Sequence, residues 1–181
     1  MTVGTLTTHR NINKWLHYID NGVEKYVSMV TIKHSITYNQ LLVANVIDDS
    51  KTITIDGKTY KVRLLKGIRE NTEGITWSTG YDTEITHGSE WNRLIYPLLP
   101  PFDSSYPQDS QVVPDFANYA PVNIDAYPGS TTYRSWCQEN WNNSTNFVHR
   151  GYSSLSNVGS NAPTYTNTAI GWRPCLELVT D

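Results

Sequence analysis

The rhythm of apolar and polar positions changes several times along the chain, and each change predicts an element. "EKYVSMVTIK" carries β-branched residues and an alternation through Tyr26, Ser28, Val30 and Ile32, which predicts a strand. "SITYNQLLVANVI" follows. With Ser35 as N-cap and Ile36, Leu41, Leu42 and Val46 available to one face, it predicts a short amphipathic helix.

"TITIDGKTYKVRLL" is the clearest local signal. Ile53 and Ile55 alternate before Asp56-Gly57, and Tyr60, Val62 and Leu64 alternate after it. Asp-Gly supplies both positive-φ positions of a type I′ turn, so the stretch predicts a β-hairpin. "GSEWNRLIYPLLPP" then sets Trp91, Leu94, Ile95 and Leu98 at helical spacing behind Ser89 as N-cap. Glu90 falls in the first turn, where the helix dipole favours a carboxylate, and Pro97 and Pro100-Pro101 keep the helix short.

From Phe102 to Ile170 no period is sustained, and Pro, Gly, Asn and Ser abound. Disordered segments are poor in aromatics, whereas this span holds Trp136, Trp141, Phe147 and several tyrosines. The expectation is long ordered loops held by aromatic anchors. In the closing "AIGWRPCLELVTD", Ile170, Trp172, Leu176 and Leu178 point one way and Arg173, Cys175, Glu177 and Val179 the other. This predicts a strand covered on both faces, and Pro174 places it at an edge or a bulge.

Composition narrows the function classes. The chain has 181 residues, a length suited to one domain with a small extension, and no repeat of solenoid period. A net charge of -3 with 17% charged residues argues against nucleic acid as a partner. Lysines occur only up to Lys66, so the later part of the chain has a different, more neutral surface. No run is long and apolar enough for a membrane span, and "MTVGTLTTHRNINKW" lacks the apolar core of a signal peptide. Cys137 and Cys175 suit two buried thiols better than a disulfide, although their spacing would allow one.

The order strand, helix, hairpin, helix, loop-rich insertion and final strand resembles the C-type lectin-like fold. The likeness is to the branch shared with formylglycine-generating enzymes and phage variable proteins. "TIDGKTYKVRLLKG", "GSEWNRLIYPL" and the terminal "GWRPCLEL" look like a module of phage tail-fibre and surface proteins. The resemblance covers roughly residues 32–178 and implies an α+β fold. It would have small antiparallel sheets, two short helices, long ordered loops, and N- and C-terminal strands close together. Residues 1–25 would form an N-terminal extension, as a fibre-shaft stub or oligomer contact, and residues 26–181 the ligand-binding domain.

The resemblance also implies function: a receptor-binding module of a phage tail fibre or related adhesin, displaying variable loops on one face. A virion or cell-surface location and a homotrimer on a fibre go with it. In the phage variable proteins made by diversity-generating retroelements, the diversified residues lie just before the terminal strand. The Asn, Ser and Tyr content of Ser135 to Thr168 is of that kind, though polar loops share it.

The stretch from Ser135 to Asn161 contains one carboxylate, Glu139, and no lysine. Tyr and Trp give large rigid contact area while Asn and Ser give adaptable hydrogen bonds, as in antibody paratopes. The candidate anchors are Trp136, Trp141 and Tyr152, and the candidate polar contacts are Asn140, Asn142, Asn143, Asn146 and Asn157. For each tryptophan the competing reading is a buried peg that fastens a loop. The expected partner is a host-cell glycan or protein.

No cofactor or metal is expected. "WNN" at Trp141 to Asn143 approximates one calcium-binding triplet of true C-type lectins without its carboxylate, so the site would be under-charged. Catalysis fares no better. The formylglycine-generating enzymes use a nearby cysteine pair, whereas Cys137 and Cys175 are far apart, and the five histidines lack a clustered triad. Asp103, Asp109 and Asp115 read as solvated loop acids. Arg63 and Arg173 read as residues that brace the core, with Glu90 and Glu177 as candidate partners. The remaining alternatives are a structural virion or decoration domain and a divergent enzyme of the formylglycine-generating type.

Overall fold

A computed structural model describes residues 4–6, 13–68, 89–95, 134–141, 144–151 and 158–180. Among these, two sheets and two short helices make a mixed α+β fold. The Asp-Gly signal holds: Asp56 and Gly57 take φ of 49° and 78° and join β5 (Lys51–Ile55) to β6 (Lys58–Arg63), with Ile53 opposite Tyr60. Tyr60 and Val62 are buried, while Ile55 is exposed near the turn.

β6 lies inside a five-stranded sheet. Its order is β2 (Trp15–Asp20), β3 (Val23–Ser28), β11 (Cys175–Leu178), β6, β5. β11 runs antiparallel to β3, with Cys175 opposite Val27, so the last strand returns beside an early one as expected. The domain boundary expected after residue 25 falls inside β3. β2 pairs with β3 from Trp15 opposite Ser28 to Asp20 opposite Val23, so this part of the supposed extension is sheet.

The other sheet has six strands. Its order is β1 (Thr5–Leu6), β4 (Lys33–His34), β10 (Ile170–Trp172), β7 (Arg134–Asn140), β8 (Phe147–Arg150), β9 (Val158–Asn161). All pairs are antiparallel except β10 with β7. β7, β8 and β9 replace with a strand meander part of what the sequence predicts as loop. Burial on both faces had erased the alternation: Trp136 enters one core cluster and its neighbour Cys137 the other. Residues 102–133 of the expected loop region lie outside the described residues.

Pro174 has a different role from the expected edge or bulge. β10 and β11 belong to different sheets, and Arg173-Pro174 is where the chain crosses between them. β11 lies at the centre of its sheet. Pro174 has no N–H to offer a ladder, and its carbonyl accepts from Ser28 N at 3.0 Å. On the other side of the crossing, β10 packs so closely on its neighbour that a Cβ on Gly171 would collide with the Lys33 carbonyl and the Thr31 methyl.

The first helix, α1 (Tyr38–Val43), is capped by Thr37, not Ser35. Thr37 Oγ1 accepts from Gln40 N at 3.1 Å and Gln40 Oε1 accepts from Thr37 N at 2.9 Å, a capping box. Ser35 lies before the helix at φ 53°. Ile36, Leu41 and Val46 are buried as expected, but Leu42 is exposed. The second helix, α2 (Glu90–Leu94), starts at Ser89 as expected, with Trp91, Leu94 and Ile95 buried. No helix of the described residues is long and apolar enough to cross a membrane.

Candidate functional site

β7 and β8 form a hairpin whose base is fixed and whose tip is open. Trp136, 1% exposed, anchors the base: its Nε1 donates to the Ile36 carbonyl at 2.9 Å and its ring meets Tyr38 edge-on. The expectation of Trp136 as a ligand contact is therefore corrected. It is a peg that ties the hairpin to the segment before α1. Phe147 stacks on Tyr38 with ring centroids 3.7 Å apart, clamping β8 to the same helix.

Beyond a register shift between Trp136 and Asn140, the strands end in a self-tied turn. Trp141 N donates to Asn146 O at 2.8 Å and Ser144 N to Trp141 O at 2.7 Å. Asn140 Nδ2 donates to Ser144 O at 3.2 Å, and Asn146 N to Ser144 Oγ at 3.1 Å. Asn140, Ser144 and Thr145 are exposed and Asn146 is half-buried. Trp141 is also half-buried and packs against the core cluster that holds Trp91. The structure thus brings Asn140, Trp141 and Asn146 together. Asn142, Asn143, Tyr152 and Asn157 lie outside the described residues.

The framework below the hairpin is held by buried charge. Glu90 lies in the first turn of α2 as expected, and it is also 3% exposed and sits at the centre of an ion cluster. Arg63 grips it with two bonds, Nη1 to Oε2 at 2.7 Å and Nη2 to Oε1 at 2.6 Å. Lys25 Nζ reaches Oε1 at 2.7 Å and Lys66 N donates to Oε2 at 3.0 Å. Glu177 accepts from Arg63 Nε at 3.1 Å, and Asp20 from Lys25 at 2.8 Å and from Arg93 Nε at 3.2 Å. Burial alone would raise the Glu90 carboxyl, but the Arg63 bonds and the Arg63 and Lys25 charges outweigh it and hold it at about 2. The expected bracing by Arg63 through Glu90 and Glu177 is present in detail. Arg173, the other expected brace, is 1% exposed and stands 5.3 Å from the Trp91 ring centroid.

Three further groups have surroundings that the sequence does not show. Arg150 is fully buried, donating to Gly67 O and Asn92 Oδ1, both at 2.7 Å. Glu139 accepts from Gly67 N at 2.9 Å, and burial pushes its carboxyl up to about 7. His149, 4% exposed, is pushed down to about 3 by burial and then by the Arg134 and Arg150 charges. The histidines had been weighed only as a metal triad, and a lone histidine in "FVHR" gives no signal of its surroundings.

Both cysteines are free and buried, in different sheets. Burial raises the Cys137 thiol well above its usual range and pushes Cys175 up to about 12, so both are protonated at neutral pH. Among the described residues no three His, Cys, Asp or Glu side chains cluster as metal ligands. Compared with protein-family models, curated proteins and solved structures, the chain matches none.

Proposed function

We propose that the chain is a non-catalytic receptor-binding domain of C-type lectin-like kind, carried on a phage tail fibre or related surface adhesin. It recognises a host-cell surface glycan or protein through the β7–β8 tip. The observation that carries this reading is the contrast within that hairpin: Trp136 locks its base, while Asn140, Trp141, Ser144 and Asn146 form a self-tied turn facing outward. Such a turn presents amide and hydroxyl groups at low entropic cost, because its own hydrogen bonds already fix it. The return of the final strand beside β3 and the two-sheet α+β layout support the resemblance. The buried thiols, both kept protonated, do not favour the formylglycine-generating alternative.

Recognition of this kind makes weak single contacts, each worth about 1 kcal/mol once desolvation is counted. Several copies on a fibre, as in a homotrimer, raise them to useful avidity. The test is attachment of the purified chain, displayed multivalently, to a panel of bacterial cells and surface glycans. A variant carrying Asn140→Ala and Asn146→Ala is assayed beside it, with circular dichroism to check its fold. Loss of attachment by the folded variant supports the reading. Attachment by neither protein, at every valency, favours a structural virion domain.

A further inference from the structure

The two sheets end in four edge strands, and three of them are blunted. β1 has two residues, β9 has four and carries Gly159, and β5 opens with Lys51. β2 is different. Its six residues pair with β3 without a bulge, from Trp15 opposite Ser28 to Asp20 opposite Val23, and they include no proline and no lysine. Among the described residues no strand covers its outer side. On one face of β2, Trp15 is 37% and Ile19 67% exposed, and His17 between them is exposed too.

The ladder fixes which main-chain groups this edge offers. Lys14 O accepts from Met29 N at 3.0 Å, one step before the pair of Trp15 with Ser28. Hydrogen-bonded pairs alternate along an antiparallel ladder, so Leu16, Tyr18 and Asp20 turn their N–H and C=O to β3, while Trp15, His17 and Ile19 turn theirs outward. An unprotected row of this kind is a template for a further strand.

The stretch from Lys14 to Asp20, "KWLHYID", is complementary to itself. Laid antiparallel on a second copy about His17, it sets Trp15 opposite Ile19, Leu16 opposite Tyr18 and His17 opposite His17. The residues that turn their main chain outward then meet as hydrogen-bonded pairs. Each flanking pair sets an aromatic ring against an aliphatic side chain, a favourable cross-strand combination. Lys14 and Asp20, of opposite charge, meet at both ends, and a slip of two residues either way parts them. We propose that β2 pairs antiparallel with β2 of a second copy of this chain, making one continuous sheet across a two-fold axis. The contact lies on β2 and not at the β7–β8 tip, so it stands or fails independently of the function proposed above.

The experiment is sedimentation equilibrium of the full chain over a range of concentrations, wild type beside Ile19→Lys and Thr54→Lys, each checked by circular dichroism. A monomer–dimer equilibrium is expected for wild type. Ile19→Lys should weaken the dimer about tenfold or more, because it removes an apolar pair on both sides of the axis. Glu24 lies opposite Ile19 on β3, so the new lysine has a counter-charge in its own sheet and the variant should fold. Thr54→Lys puts the same charge on the exposed β5 edge and should leave the dimer unchanged. Amide hydrogen exchange reads the register: Trp15, His17 and Ile19 should gain protection as concentration rises, while Leu16 and Tyr18 keep theirs. A monomer at every concentration, an assembly that a folded Ile19→Lys leaves intact, or protection gained without this alternation would overturn the edge pairing.

Discussion

At the junction of α2 with the five-stranded sheet, Glu90 receives four hydrogen bonds, two from Arg63 and one each from Lys25 and the Lys66 main chain. At the β7–β8 tip, the Asn140 side chain is tied to the Ser144 carbonyl and the Asn146 main chain to Ser144 and Trp141, and Asn140 remains in solvent. Both regions are polar, yet one closes its polar groups on each other inside the fold while the other fixes its backbone and leaves side-chain capacity outward. A closed network specifies structure and has nothing left to offer a partner. A self-tied exposed turn is rigid enough to recognise and contributes little to stability.

The largest expected effect breaks the closed side. Glu90→Ala leaves Arg63 and Lys25 buried beside an empty site and should cost about 3–5 kcal/mol by denaturant unfolding, because uncompensated buried charge is expensive. A cost below about 1 kcal/mol would mean that the cluster is not the framework. The same carboxylate sets the acid limit. Its folded pKa, about 2, lies below its ordinary 4.5, so its contribution is full above pH 4.5 and is lost as pH falls towards 2.

A smaller loss is expected at the hairpin base. Trp136→Phe keeps an aromatic ring but leaves the Ile36 carbonyl without its donor, which should cost about 1–3 kcal/mol. A pH effect with the opposite sign to that of Glu90 is expected at Glu139. The Glu139 carboxyl titrates near 7 in the fold against an ordinary 4.5, so the folded state binds more protons and stability falls as pH rises between those values. Thermal melts of Glu139→Gln across that window should show the slope reduced.

Those parts of the fold that rest on local chemistry were legible in the chain. Asp56-Gly57 demands positive φ and Ser89 caps α2, and both act where they were read. Thr37 and Gln40 spell a capping box that is equally legible, although Ser35 reads as a cap too. What escaped was set by tertiary context. β7 is covered on both faces and so shows no alternation. Pro174 looked like an edge residue because a crossing between sheets exists only in three dimensions. At the candidate site, composition draws Trp136, Asn140, Trp141 and Asn146 together but does not separate Trp136, which is buried, from Trp141, which is half-buried.

The central claim is the division between a closed framework and an open tip, and Asn140→Ala, at an exposed position of that tip, tests it most directly when its thermal melt and its attachment to cells are measured on the same preparation. The account predicts a midpoint close to wild type with attachment lost. A variant that melts near wild type and still attaches as well as the wild type would contradict it.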